Sequence, residues 1–282
     1  MSLHPSSLAV ICYGFYPHHL APLARKVATF TGGLPATVVL VRAPGLTSWG
    51  PRFAAPRTQL VELPYDGRDW EFGAYQCGLD WLLQRGWAGP VTVFNDTAGI
   101  HYPLRRHELL ALQRFVLQAD PATPALAGPV QTAPGNFVLH GQPLPSWVRS
   151  NLFALSPAGL KALGHRLFVA EEFQAPLLTP QGLELPDSLS PDLRAHVMAW
   201  LMSGGRESWR HHAGWTQPPL RVLRNKAGSI LLEKRMAAAV LAAGGVLVPC
   251  SGPAPSRWQQ LTDRAFYAAR QLGRAPRREA GT

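Results

Sequence analysis

Two carboxylates in this chain stand where a carboxylate is costly to keep unless it is paired or used. Asp96 follows the apolar run Val91-Thr92-Val93-Phe94 within the tip Asn95-Asp96-Thr97. That run predicts a strand covered on both faces, so Asp96 lies at its carboxyl end. In open α/β sheets ligands bind at that end, and a carboxylate there is placed for a metal ion or a sugar. The alternative is that Asn95 and Asp96 cap a turn after the strand. Glu233 falls in a helical stretch over residues 229–243, where Ile230, Met236, Ala237, Val240 and Leu241 share its side. A carboxylate among such neighbours is either paired, with Lys226 or Arg235 as partners, or used in proton transfer. Glu171 and Glu172 are the substitutes for that role. A third group, Asp66, Arg68 and Asp69, occupies the loop one element before Asp96.

The elements that position these groups follow from periodicity. Asp69 can cap a helix in which Phe72, Tyr75, Leu79, Leu82 and Leu83 recur at helical spacing, and Gly86 ends it. Gly73 lies in its first turn, where glycine costs about 1 kcal/mol against alanine, so a close approach there is the expected reason. Upstream, residues 8–13 read as a buried strand whose tip, Tyr13-Gly14, turns into a helix reaching about Phe30. Thr31-Gly32-Gly33 reads as its C-cap, and 37–41 and 59–63 as two further strands. Downstream come a helix near 105–118 with Leu109, Leu112, Phe115 and Val116 inward, a Pro/Gly-rich stretch over 119–146, and a strand at 150–155. A helix begins at Pro157, and 176–191 reads as a surface loop. A helix capped by Ser190-Pro191 runs to about Met202, followed by the helix bearing Glu233, a strand at 246–249 and a helix near 256–272. Strands alternating with helices predict an α/β fold, a mixed sheet with helices on both faces.

The run Gly67-Arg68-Asp69, Trp70-Glu71-Phe72-Gly73-Ala74-Tyr75, followed by Phe94-Asn95-Asp96-Thr97, resembles the donor-site half of GT-A-type glycosyltransferases, nearest the rhamnan-synthesis-protein-F-like group. The segment from Trp147 to Ser156 and residues 226–245 are similar to the same group, and the resemblance spans most of residues 8–250. It implies a GT-A-like, Rossmann-like sheet in one domain over 1–273, with a nucleotide-binding half over about 1–118 and an acceptor half over about 147–273. It also implies transfer of a sugar from a nucleotide-sugar to a surface polysaccharide or glycolipid. Tyr13, Gly14, Asp66, Arg68, Asp69 and Asn95 would hold the nucleotide, the aromatic near the base and Arg68 near phosphate or base edges. Asp96 would stabilise the diphosphate leaving group through Mn²⁺ or Mg²⁺, and Glu233 would act as general base on the acceptor hydroxyl. Such enzymes usually present two acids at the strand tip. Here one is the amide of Asn95, so a neighbouring base such as Arg68 could serve in place of a metal, and a degenerate, non-catalytic relative is the alternative.

Composition bounds the remaining choices. The 282 residues carry a formal charge of +10 and a pI near 10.2, but the basic residues are spread along the chain. The one cluster, Arg264, Arg270, Arg274, Arg277 and Arg278, is C-terminal. A solvated, arginine-biased surface is therefore expected rather than specific nucleic-acid binding, with peripheral contact to anionic membrane through a disordered basic tail over 274–282. No G-x-G-x-x-G or P-loop occurs. Cys12, Cys77 and Cys250 are far apart and expected to be buried and reduced. His18-His19 and His211-His212 lack metal-ligand spacing. Trp200, Trp209 and Trp215 are either core or sugar-stacking residues. No leader or membrane-spanning segment is visible, so a cytoplasmic location is expected.

Overall fold

A computed structural model describes residues 8–46, 57–100, 103–179, 182–202 and 218–250. The expected 256–272 helix, the tail over 274–282, His211-His212, Trp209 and Trp215 lie outside the described residues.

The chain runs β1 (Leu8–Gly14), a single 3-10 turn (Pro17–His19), α1 (Leu20–Thr31), β2 (Ala36–Arg42), β3 (Thr58–Pro64), α2 (Trp70–Leu83), β4 (Val91–Asn95) and α3 (Arg106–Gln118). It continues through β5 (Ala125–Gly128), β6 (Val130–Thr132), β7 (Val138–Leu139), β8 (Gln142–Pro143), β9 (Ser146–Val148), β10 (Leu152–Leu155), α4 (Pro157–Ala162) and α5 (Ala170–Gln174). Then come β11 (Leu177–Thr179), β12 (Gly182–Glu184), α6 (Pro191–Met202), α7 (Leu220–Ala242) and β13 (Val246–Pro249). Seven strands form the central sheet in the order β13-β5-β10-β4-β1-β2-β3. Only β10 runs against its neighbours. This is the expected mixed α/β architecture, one sheet with helices on both faces.

Strand alternation divides the core between the two faces of the sheet. Ala9, Ile11 and Tyr13 of β1 join Val39 and Val41 of β2 under α2 and α7, where Phe72, Tyr75, Leu79, Leu231 and Met236 pack. Leu8, Val10 and Cys12 join Val38 and Leu40 under α1 and α3, with Leu23, Val27, Phe30, Leu109 and Leu112. The strands are apolar on both faces because both faces are covered. Gly78 lets α2 lie close on β1, since a Cβ there would come within 2.6 Å of Ile11 Cγ2.

Several boundaries differ from the sequence expectation. Asp69 occupies the N-cap position of α2 but makes no side-chain cap bond. Its backbone (φ −104°, ψ 24°) is outside the extended conformation a capping side chain needs, and its N–H donates instead to the Tyr65 hydroxyl at 3.0 Å. Helix α7 begins at Leu220, nine residues before the expected start. The Pro/Gly-rich stretch holds β5, an interior strand, and the 176–191 loop holds the β11–β12 hairpin. Cys12 and Cys250 are buried and Cys77 is half-buried, all three as free thiols. Among the described residues no helix is long and apolar enough to cross a membrane.

Candidate functional site

From β1 the chain steps outward through β2 and β3, then returns to set β4 on the other side of β1. This reversal makes the carboxyl ends of β1 and β4 the switch point, the position at which open sheets take ligands. Asp96 lies there, 1% exposed. Its Oδ2 accepts the backbone N–H groups of Phe15 at 2.8 Å and Tyr16 at 2.6 Å, which fastens the loop after β1 to the tip of β4. Its Oδ1 is buried and makes no hydrogen bond among the described residues. Burial pushes the Asp96 carboxyl up to about 6; the Tyr16 and Phe15 amides oppose this, the charge of Glu71 adds to it, and Lys26 opposes it. Desolvation wins because two amide dipoles do not replace the water around a whole carboxylate.

Asn95 is engaged at both ends of its amide. Its Nδ2 donates to the Tyr75 hydroxyl at 3.0 Å, and its Oδ1 accepts the N–H and hydroxyl of Thr97 at 2.9 and 3.0 Å. The Tyr75 hydroxyl donates to the Ser150 carbonyl at 3.1 Å. The Ser150 N–H donates to Glu233 Oε2 at 2.7 Å, and Lys234 Nζ donates to Glu233 Oε1 at 2.8 Å. The Lys234 ammonium also lies 3.5 Å over the Trp147 ring. One chain of contacts therefore joins Asn95 to Glu233. Burial lifts the Glu233 carboxyl, but Lys234 and Ser150 together hold it below its ordinary value, while burial brings Lys234 down to about 8. The partner of Glu233 is thus Lys234, not Lys226 or Arg235. Lys226 bonds to Glu71 at 3.1 Å and Arg235 donates to the Arg166 carbonyl. Glu171 and Glu172 pair with Arg166 and His140.

Tyr13 is buried, with the rings of Tyr65 and Tyr75 edge-on at 6.4 Å. Burial, then the charges of Glu71 and Asp96, raise its phenol. It offers no face to a base. Phe15, two residues on, is 50% exposed and edge-on to Tyr16; an aromatic directly after the Gly14 that ends the strand was the signal for it. The Gly14 carbonyl accepts the Ala43 N–H, tying β1 to the loop after β2. Arg68 is 83% exposed, and its Nε meets Asp66 Oδ2 at 2.5 Å across a turn at Gly67. The Arg68 N–H, and then its guanidinium, hold Asp66 below the usual carboxylate range, whereas burial raises Asp69. The exposed turn thus sets Asp66 and Arg68 against each other at the loop before α2. The reason for Gly73 is the close approach of the Tyr65 hydroxyl and of Asp69 Cβ, which leaves no room for a Cβ at that position.

The donor set does not fit a resident Mn²⁺ or Mg²⁺. Such ions take about six oxygen ligands, usually including one or two carboxylates. Asp96 offers one oxygen, sealed from solvent, the amide of Asn95 is engaged, and no group of three His, Cys, Asp or Glu side chains occurs among the described residues.

No family model matches the sequence, and no curated protein does. Similar solved structures include a 4-diphosphocytidyl-2C-methyl-D-erythritol synthase, 18% identical, covering 58% of this chain and 81% of that one with a TM-score of 0.35. They include residues 1–349 of S. aureus TarS, 12% identical, covering 58% of this chain and 52% of that one with a TM-score of 0.38. A third is Mycobacterium tuberculosis glucosyl-3-phosphoglycerate synthase, 10% identical, covering 82% and 81% with a TM-score of 0.36. The chemistry rests on this chain's own residues.

Proposed function

We propose that the protein is a glycosyltransferase that moves a sugar from a nucleotide-sugar donor to a surface polysaccharide or glycolipid acceptor. The observation that carries this reading is Asp96, a carboxylate kept buried at the switch point, with one oxygen fastening the β1 loop and the other without a partner among the described residues. A group held against its own solvation at such a position is a functional candidate. The donor lies across the ends of β1 and β4, with the β1 tip at Tyr13-Gly14 and the loop bearing Asp66, Arg68 and Asp69 on the nucleotide side. Asp96 fastens the loop bearing Phe15 and Tyr16 beside the donor's sugar–diphosphate junction. The bond from the anomeric carbon to the diphosphate breaks, its electron pair leaves with the diphosphate, and the carbon bonds to the acceptor oxygen. The proton of that hydroxyl passes to Glu233, which is ionised and 16% exposed. The basic C-terminus makes peripheral contact with anionic membrane.

A second reading, a protein that binds the donor without transferring it, is favoured by one observation. Both Glu233 oxygens already accept hydrogen bonds, so a proton must compete with Lys234. The test is a thermal-shift panel of UDP, GDP, ADP, CDP and dTDP and their sugars, with and without Mn²⁺ or Mg²⁺. A nucleotide at a hundred times its dissociation constant stabilises the fold by about 2.7 kcal/mol. No shift with any of them refutes both readings; a shift without transfer or donor hydrolysis selects the second.

A further inference from the structure

A diphosphate at the switch point needs a cation, and the residues assigned from sequence do not place one there. Asp96 and Glu233 are acids, and Arg68 stands in solvent with its hydrogen bonds turned to Asp66. Lys226 is different. It lies seven residues before Glu233 on α7, which puts both side chains on one helix face with about 10 Å of rise between them. It is 18% exposed, and its Nζ is 3.1 Å from Glu71 Oε1 and 5.9 Å from the centre of the Trp200 ring. Glu71 belongs to the first turn of α2, one turn before Tyr75, whose hydroxyl accepts the Asn95 amide at the end of β4 and whose ring lies edge-on to Tyr13 at the end of β1. An ammonium held by Glu71 is therefore held beside the ends of β1 and β4. It has three N–H donors, and Glu71 takes one.

Resting on the glycosyltransferase reading, we propose that Lys226 binds the donor's diphosphate and stabilises it as the leaving group, a fixed cation where the described residues form no cage for a divalent ion. Glu71 is its positioning residue. When the bond to the anomeric carbon breaks, the electron pair and its negative charge stay on the diphosphate oxygen, and the ammonium donates hydrogen bonds to it without giving up a proton. Glu71 keeps the flexible lysine stem in place, so less side-chain freedom is lost on binding. The Trp200 ring adds a cation–π contact to the ammonium.

The experiment is calorimetric titration of UDP, GDP, ADP, CDP and dTDP in EDTA, and again in Mn²⁺, into the full chain, with each monophosphate as control. Lys226→Met strands Glu71 and can misfold, so the double variant Glu71→Gln/Lys226→Met, which leaves an uncharged pair, is measured beside it, and so is Glu71→Gln alone. The wild type is expected to bind one diphosphate in EDTA. The double variant is expected to bind it ten- to a hundredfold more weakly, the range of a lost charge-assisted hydrogen bond, with little change for the monophosphate. Glu71→Gln, which keeps the lysine charge, is expected to retain tight binding. Unchanged diphosphate affinity in the double variant overturns the role of Lys226, and so does wild-type binding that requires Mn²⁺. Absence of binding in both buffers refutes the glycosyltransferase reading on which the inference rests.

Discussion

Asp96 gives the sharpest test because its burial has a measurable consequence for stability. Its carboxyl lies at about 6 in the fold, against an ordinary value of 3.8. At about 1.4 kcal/mol per pH unit, ionising it inside the protein costs about 3 kcal/mol more than in the unfolded chain. The folded value is the higher one. The group's stabilising contribution is therefore fully present below about pH 4 and is lost as pH rises through 6. Between pH 8 and pH 5 the wild type should regain about 1.4 kcal/mol from this one group. Asp96→Asn keeps an oxygen to accept the Phe15 and Tyr16 amides and does not titrate. Urea denaturation of both proteins at pH 5, 6, 7 and 8 isolates the effect, since every other titrating group cancels in the difference. The stability gap between wild type and variant should change by about 1.4 kcal/mol over that range, with the wild type gaining as pH falls. A gap that stays constant to within about 0.3 kcal/mol would refute the argument that desolvation governs this carboxylate.

Gly73→Ala should destabilise by about 1–3 kcal/mol although alanine is the better helix former, because the Cβ collides with the Tyr65 hydroxyl and with Asp69 Cβ; thermal melts in a Tyr65→Phe background should show only part of the loss recovered, since the Asp69 contact remains. Glu233→Gln should lower stability by about 3 kcal/mol by leaving Lys234 buried without its counter-charge, and adding Lys234→Met should restore most of it in a double-mutant cycle; additive losses would mean the pair is not coupled. If Glu233 is also the general base, the Gln variant should lose about 10²–10⁴ in kcat per folded molecule with donor affinity unchanged, whereas a structural role alone leaves kcat intact. Asn95→Asp should not rebuild an acidic pair: it removes the donor to Tyr75 and sets a second negative charge beside Asp96, so isothermal titration should show no gain in Mn²⁺ affinity, and melting should show lower stability.

The sheet was legible where covering both faces leaves a local mark. The runs at β1, β2 and β4 are apolar throughout, and their bounds came out within a residue or two. β5 left no such mark. Its four residues, Ala125–Gly128, carry one large apolar side chain, Leu126, and they form an interior strand because β10 and β13 supply partners on either side. Long-range pairing of that kind has no signature in a short window. The early start of α7 was better advertised, since Pro218-Pro219 precedes it and Pro219 is its N-cap. The basic residues Arg221, Arg224 and Lys226 obscured the apolar stripe through Leu223 and Ala227.

The site shows the same division in terms of charge. Asp96 could be found from sequence because a strand's carboxyl end is a position, and position follows from local pattern. Its chemistry could not, because whether a carboxylate is paired depends on what arrives from far along the chain. The bonds that decide the roles of Tyr75, Glu233 and Glu71 join residues 75, 83 and 155 positions apart. Glu233 was expected to meet Lys226 or Arg235 at helical spacing, yet its partner is the adjacent Lys234, which the buried Trp147 ring and the Ser150 amide bring into line. Adjacent residues on a helix do not share a face, so such a pair forms only where the surroundings force it. Asn95 completes the argument. Read beside Asp96 it looks like a missing acid, but with Tyr75 and Thr97 around it the amide is the residue that fits, because a carboxylate cannot both donate to the tyrosine and accept from the turn. Asn95 is thus the residue that starts the contact chain from the tip of β4 to Glu233.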